Sequence, residues 1–192
     1  MGYLLQKLIR RIQDGDASKL LVFGTLIFFV SLLIAAIIFL PPFLKNGVSM
    51  EGIESEARAS QKIPYDWHLA KQTTESMSAM IFYSDSLDDY TYSIYVRKQR
   101  RHFSGYFFKA GGSASEIEQG VAEFRFDGYG ERAYISMNTQ KVDRIEFDNG
   151  RSTQTIDVDS EKPFAVIVPA NAGYVGIYDV NGNVVESVER KL

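Results

Sequence analysis

Cysteine is absent from the 192 residues and histidine occurs only twice, at His68 and His102. The first absence excludes thiol nucleophiles, thiolate metal sites and disulfides, so any folded unit must stand on its core alone. The second leaves too few imidazoles for a His-Glu-x-x-His zinc helix. No Gly-x-Ser-x-Gly and no Gly-x-x-x-x-Gly-Lys-Ser/Thr occurs either, so the serine elbow and the P-loop lack their markers. There is no Asn-x-Ser/Thr sequon and no internal repeat. Excess basic charge is also missing: 21 Lys+Arg face 24 Asp+Glu, a net charge of -3. Neither a nucleic-acid-binding composition nor a bound cofactor, small-molecule or metal, is expected from this inventory.

What is present is unevenly distributed. Leu20 to Leu40 carries no charge, interrupted only by Gly24, Thr25 and Ser31. As a helix it spans about 31 Å, the thickness of a hydrocarbon core. It exceeds the apolar run of a cleaved signal peptide, and Pro41-Pro42-Phe43-Leu44 stands where a small-residue cleavage site would be needed. The expectation is an uncleaved signal anchor over 20–44. Lys7, Arg10, Arg11 and Lys19 precede it, and only Lys45 and Arg58 follow closely, which places the N-terminus in the cytoplasm and the rest outside. The tail, 1–19, sets Leu4, Leu5, Leu8, Ile9 and Ile12 on one helical face and reads as a basic amphipathic segment on lipid. Ser31 and Ala35 form a small-xxx-small pair able to seat another helix.

Beyond the anchor, 45–64 is rich in Gly, Ser, Glu, Ala and Lys and reads as a stalk, with helix-forming composition over Glu51–Gln61. From 65 to 192 the signals are those of strands. In Tyr90-Thr91-Tyr92-Ser93-Ile94-Tyr95-Val96, alternate residues share a face. Nine other runs follow: Met77–Tyr83, Phe103–Lys109, Ala122–Phe126, Ala133–Met137, Val142–Asp148, Thr153–Val158, Phe164–Val168, Tyr174–Val180 and Val184–Val188. So many short strands predict an all-β fold, an antiparallel β-sandwich or partly open barrel, exported behind one transmembrane helix. Asn149-Gly150 and Asn181-Gly182 predict two-residue type I′ hairpins, and Ser113-x-x-Glu116 a capping box opening a helix of about two turns. Trp67 is expected to pack at the start of the domain.

The most distinctive cluster is Arg97, Lys98, Arg100, Arg101 and His102, beside Phe103, Tyr106, Phe107 and Phe108. It reads first as a solvated hairpin between two strands and second as a binding surface for an anionic partner, namely lipid headgroups, a cell-wall polymer or an acidic face of another membrane protein. Asp85, Asp88 and Asp89, and Asp179 with Asn181, Asn183 and Glu186, read as turns; the latter lacks the spacing of a calcium loop.

The stretches Ala133–Asn138, Lys141–Phe147, Lys162-Pro163-Phe164 and Tyr178–Asn183 resemble a pattern found in uncharacterised single-pass membrane proteins of Gram-positive bacteria. The resemblance covers about the last 60 residues. It implies a short tail, one helix and an exported β domain, and carries no catalytic residues. The expected function is a non-catalytic module that binds or senses at the cell surface, as an accessory subunit of a membrane assembly. The alternatives are a hydrolase of wall glycan or peptide using carboxylates from separate strands, and a transmembrane signalling anchor.

Overall fold

The computed structural model describes residues 24–34, 47–100 and 103–191. They fall in two compact units, Met1–Lys45 and Asn46–Leu192. In the first, 24–34 form a helix, with the Ser31 hydroxyl bonded back to the Ile27 carbonyl. Its eight large apolar side chains, Leu26 to Val30 and Leu32 to Ile34, are all 49–67 % exposed. No helix among the described residues is long and apolar enough to cross a membrane. The flanks of the expected anchor, the tail and Ala35 lie outside the described residues.

Among its described residues the second unit has eleven strands and two short α-helices. Sheet A has the order β1 (His68–Thr73), β2 (Met77–Tyr83), β3 (Tyr90–Arg100), β4 (Phe103–Gly112). Sheet B runs β11 (Ser187–Lys191), β5 (Val121–Arg125), β6 (Glu131–Ser136), β9 (Phe164–Pro169), and sheet C runs β10 (Val175–Asp179), β7 (Val142–Asp148), β8 (Thr153–Asp157). The helices are α1 (Ile53–Gln61), preceded by a 3-10 turn at Met50–Gly52, and α2 (Ser115–Gln119).

Alternation along the strands assigns the layers. Met77, Ala79 and Ile81 of β2 meet Phe124, Ala133, Ile135 and Ile167 of sheet B in one core. The opposite face of sheet B, with Tyr134, Phe164, Val166 and Val168, meets Val142, Ile145 and Ile177 of sheet C in a second. The opposite face of sheet A, with Met80, Phe82, Tyr95 and Tyr106, is covered by Ile53 and Ala57 of α1. Strand β2 is therefore buried on both faces, which is why its sequence is a near-continuous apolar run and not an alternating one. The domain is all-β in its framework, as expected, and no closed barrel forms among the described residues.

Several local expectations are corrected. Residues 47–64 are no stalk. Ile53 and Ala57 stand one turn apart and bury against sheet A, and Val48 adds a bridge to Tyr106 at the edge of β4. Arg58 seals the junction: its guanidinium donates to the carbonyls of Pro64 at 2.7 Å and Trp67 at 3.1 Å and lies 4.8 Å above the Phe82 ring. Arg58→Ala is expected to cost about 2 kcal/mol and to loosen α1, read as a change in fluorescence of the sole tryptophan, Trp67. Strand β1 was not legible, because His68-Leu69-Ala70-Lys71-Gln72-Thr73 is a half-exposed edge whose place comes from pairing with β2.

Neither Asn-Gly pair makes a type I′ turn, since only the glycines, Gly150 and Gly182, have positive φ. Four residues, 149–152, connect β7 to β8. At 179–183 the bonds Gly182 N to Asp179 O and Asp179 N to Asn183 O close a three-residue loop. After it the chain stays beside β10 only to Val185, then crosses to sheet B, where β11 pairs with β5 in parallel. The expected strand Val184–Val188 is thus displaced, and the ladder is not wholly antiparallel. There Ser187 donates to Glu123 and Arg190 meets Glu116, contacts that sheet C does not offer. Helix α2 is capped by Ala114 without a side-chain bond, because the Ser113 hydroxyl is turned to the Tyr90 carbonyl.

Candidate functional site

Of the basic cluster, Arg97, Lys98 and Arg100 lie on the last part of β3 in the β3–β4 hairpin, whose register runs from Tyr92↔Gly112 to Arg100↔Phe103. This is the hairpin the sequence predicted. Arg101 and His102 lie outside the described residues. Arg97 borders a cavity of about 390 Å³ shared with Ser104, Gly105, Tyr106 and the incoming chain from Gly47 to Glu51. Two glycines make that cavity's base. Gly47 and Gly105 approach so closely that a Cβ on either would lie 2.6 Å from backbone of the other, and Gly105 has φ +135. Val48 and Tyr106 then exchange backbone bonds of 2.8 and 2.9 Å. The Arg97 and Lys98 side chains pair with no carboxylate among the described residues; the Lys98 ammonium lies 5.8 Å from the centre of the Phe107 ring. Burial pushes the Tyr106 phenol up, while the Arg97 charge pulls it back.

A second cavity, about 310 Å³, is assembled from three turns and α2, with Leu87, Tyr90 and Met137 as apolar wall and Asp88, Glu118, Lys141 and Glu161 at its polar wall. Three of the four non-glycine residues with positive φ among the described residues line it: Leu87 at 61°, Asn138 at 59° and Lys141 at 55°. Such conformations cost energy and concentrate at ligand sites. Asn138, 5 % exposed, holds the arrangement, accepting from Val142 N at 2.7 Å and donating to the carbonyls of Val142 and Asp159. Asn138→Ala removes these bonds and places a Cβ residue without a local partner in the left-handed region. The expected loss is about 3 kcal/mol in urea unfolding, with the cavity reshaped.

The remaining charge constellation is internal. Glu123 on β5 accepts from Arg125 at 2.5 Å and Arg132 at 3.0 Å, with Arg132 and Glu123 side chains only 7 and 8 % exposed. Burial would raise the Glu123 pKa, but the hydrogen bonds from Arg125 and Arg132 hold it below the ordinary carboxylate value. Tyr134 beside it is pushed up by burial and by the Glu123 charge. On the outer side of sheet C, the Tyr174 and Tyr178 hydroxyls meet at 3.0 Å above Gly176, and Arg144 stacks 4.5 Å over Tyr178.

The acidic turns are structural. Asp85 pairs with exposed His68 at 2.5 Å, and Asp179 accepts from Asn181 N, Asn183 N and the Asn183 side chain. Sequence reasoning singled out Arg97 and Lys98 but not the cavity beside them, and did not read Asn138, Leu87 or Lys141 as site residues. The Asn in Met137-Asn138-Thr139 was the one legible hint, as a residue that tolerates left-handed backbone. No protein-family model, no curated protein and no solved structure matches this chain.

Proposed function

We propose that the chain is a membrane-anchored, non-catalytic β module that binds at the outer cell surface. One observation carries the reading: 24–34 form a helix whose large apolar side chains are exposed all round, within an uncharged run of bilayer length. Water does not tolerate such a surface, and lipid tails do. Two open basins on the second unit, one with an apolar wall and strained backbone and one bordered by Arg97, which pairs with no carboxylate among the described residues, supply places for a ligand. Among the described residues, Glu54, Glu116, Glu123, Asp159 and Asp179 have pKa values held below the usual carboxylate range by hydrogen bonds.

Membrane fractionation of the expressed full chain and of a variant lacking 20–40 tests the reading. The full chain is expected in the alkaline-washed membrane pellet and the deletion in the supernatant. Recovery of both in the supernatant contradicts it.

A further inference from the structure

We propose that β8 is a homodimer interface: two copies of the chain pair edge to edge through Thr153–Asp157 and continue sheet C across a two-fold axis. The inference concerns the second unit alone and does not depend on the membrane-anchor reading.

Three observations converge. The first is an undefended edge. Exposed strand edges invite pairing, and folded proteins blunt them with cations, prolines, bulges or covering chain. Among the described residues the three sheets have six edges, and five are defended. Gln72 on β1 accepts from Ile167 N on β9 at 2.8 Å, so those two edges face each other. Strand β4 is bridged by Val48, and β11 carries Glu189, Arg190 and Lys191. Strand β10 has a bulge at Tyr178/Asp179 and receives Val185 N on the Ile177 carbonyl. Strand β8, Thr153-Gln154-Thr155-Ile156-Asp157, has no cation, proline or bulge, and all its residues but Ile156 are exposed.

The second is the direction of its backbone. Val158 N donates to Asp143 O at 2.8 Å and Asn149 N to Ser152 O at 3.3 Å. These, and every second pair between them, are therefore the hydrogen-bonded pairs of the β7–β8 ladder. Gln154 and Ile156 bond to β7, while Thr153, Thr155 and Asp157 turn their main-chain groups away from it. No other element takes those groups among the described residues; the Thr153 carbonyl has only a 3.4 Å bond from the adjoining Gln154 side chain. Antiparallel pairing of β8 with itself engages these three residues on both sides when the axis passes at Thr155. Thr155 then meets Thr155 of the partner subunit, and Thr153 meets Asp157 of the partner subunit. About six main-chain hydrogen bonds form in full register.

The third is charge complementarity. In that register Asp157 faces the partner's Thr153 and stands diagonal to the partner's Arg151, within reach of a long side chain. Neither Arg151 nor Asp157 forms an ion pair in its own copy among the described residues. Arg144, opposite Asp157 on β7, is engaged by Glu146 at 3.0 Å and Asp143 at 3.4 Å. No like charges meet among the paired residues. Strands this short make a small interface, under about 1,200 Å², so the association is reversible.

The absence of cysteine makes oxidative cross-linking of the full chain in detergent micelles selective. Cα atoms of a hydrogen-bonded antiparallel pair lie about 5.5 Å apart, within disulfide range. Thr155→Cys is expected to cross-link about tenfold faster than Thr153→Cys or Asp157→Cys, each of which stands about 13 Å along the strand from its own symmetry mate. The double variant Thr153→Cys/Asp157→Cys should match Thr155→Cys, because its two cysteines face each other across the axis. Adding Thr155→Lys, which sets like charges on the axis, should abolish that cross-link, and circular dichroism shows that each variant is folded. In the Thr155→Cys chain, Arg151→Glu should slow cross-linking about fivefold, and Asp157→Arg added to it should restore the rate. Equal rates at 153, 155 and 157, cross-linking at none of them, or a cross-link that survives Thr155→Lys overturns the proposal. A dimer held through the helix at 24–34 gives one of these overturning results, so it is not mistaken for β8 pairing.

Discussion

Gly105→Ala is expected to destabilise the second unit by about 3–4 kcal/mol and to release the segment 47–52 from the edge of β4. Two costs add. At φ +135 an L side chain is strained, and the new Cβ would sit 2.6–2.7 Å from the backbone of Gly47, which cannot yield without breaking the Val48–Tyr106 bonds. Gly182→Ala isolates the first cost, because Gly182 also has positive φ but nothing within 4 Å of its Cβ position; about 1 kcal/mol is expected there. Urea unfolding followed by Trp67 fluorescence measures both. Equal, small losses at the two glycines would show that the close approach contributes nothing.

Glu123→Ala is expected to cost about 3–5 kcal/mol, because it strands Arg132 in the interior with an Nε that already lacks a partner. Replacing both residues, Glu123→Ala with Arg132→Met, should recover most of the loss, since an apolar pair needs no compensation. The same carboxylate sets an acid limit. A group whose folded pKa lies below its unfolded value of 4.5 contributes stability above about pH 4.5 and loses it as pH falls through the folded value. The wild-type chain should therefore lose stability below pH 4.5 more steeply than Glu123→Gln, whose curve lacks that contribution. Coincident acid limbs of the two curves would remove Glu123 from the account.

The legible part of the fold was the part written in local periodicity. Strands β2, β3, β4, β6, β7 and β9 carry alternating or continuous apolar residues, because each has at least one face in a core. Two of the edge strands, β1 and β11, were not legible. His68–Thr73 has little apolar alternation, and Ser187–Lys191 is mostly exposed and charged, so both are placed by the partner strand and not by their own pattern. Helix α1 was visible as a helix and misread as a spacer, because two apolar residues and one arginine suffice to dock it on Phe82. The hairpin cations were visible since they are contiguous. The cavities were not, because Gly47 meets Gly105, and Leu87 lines one cavity with Asn138 and Glu161, across long stretches of chain that no motif spans.

Labelling of single cysteines in intact cells with a membrane-impermeant maleimide tests the topology on which these roles depend. With Ser152→Cys in the second unit and Ser18→Cys before the apolar run, position 152 is expected to react in intact cells and position 18 only after permeabilisation. Reaction at position 18 alone in intact cells, or at neither position before lysis, would contradict an outward-facing β module.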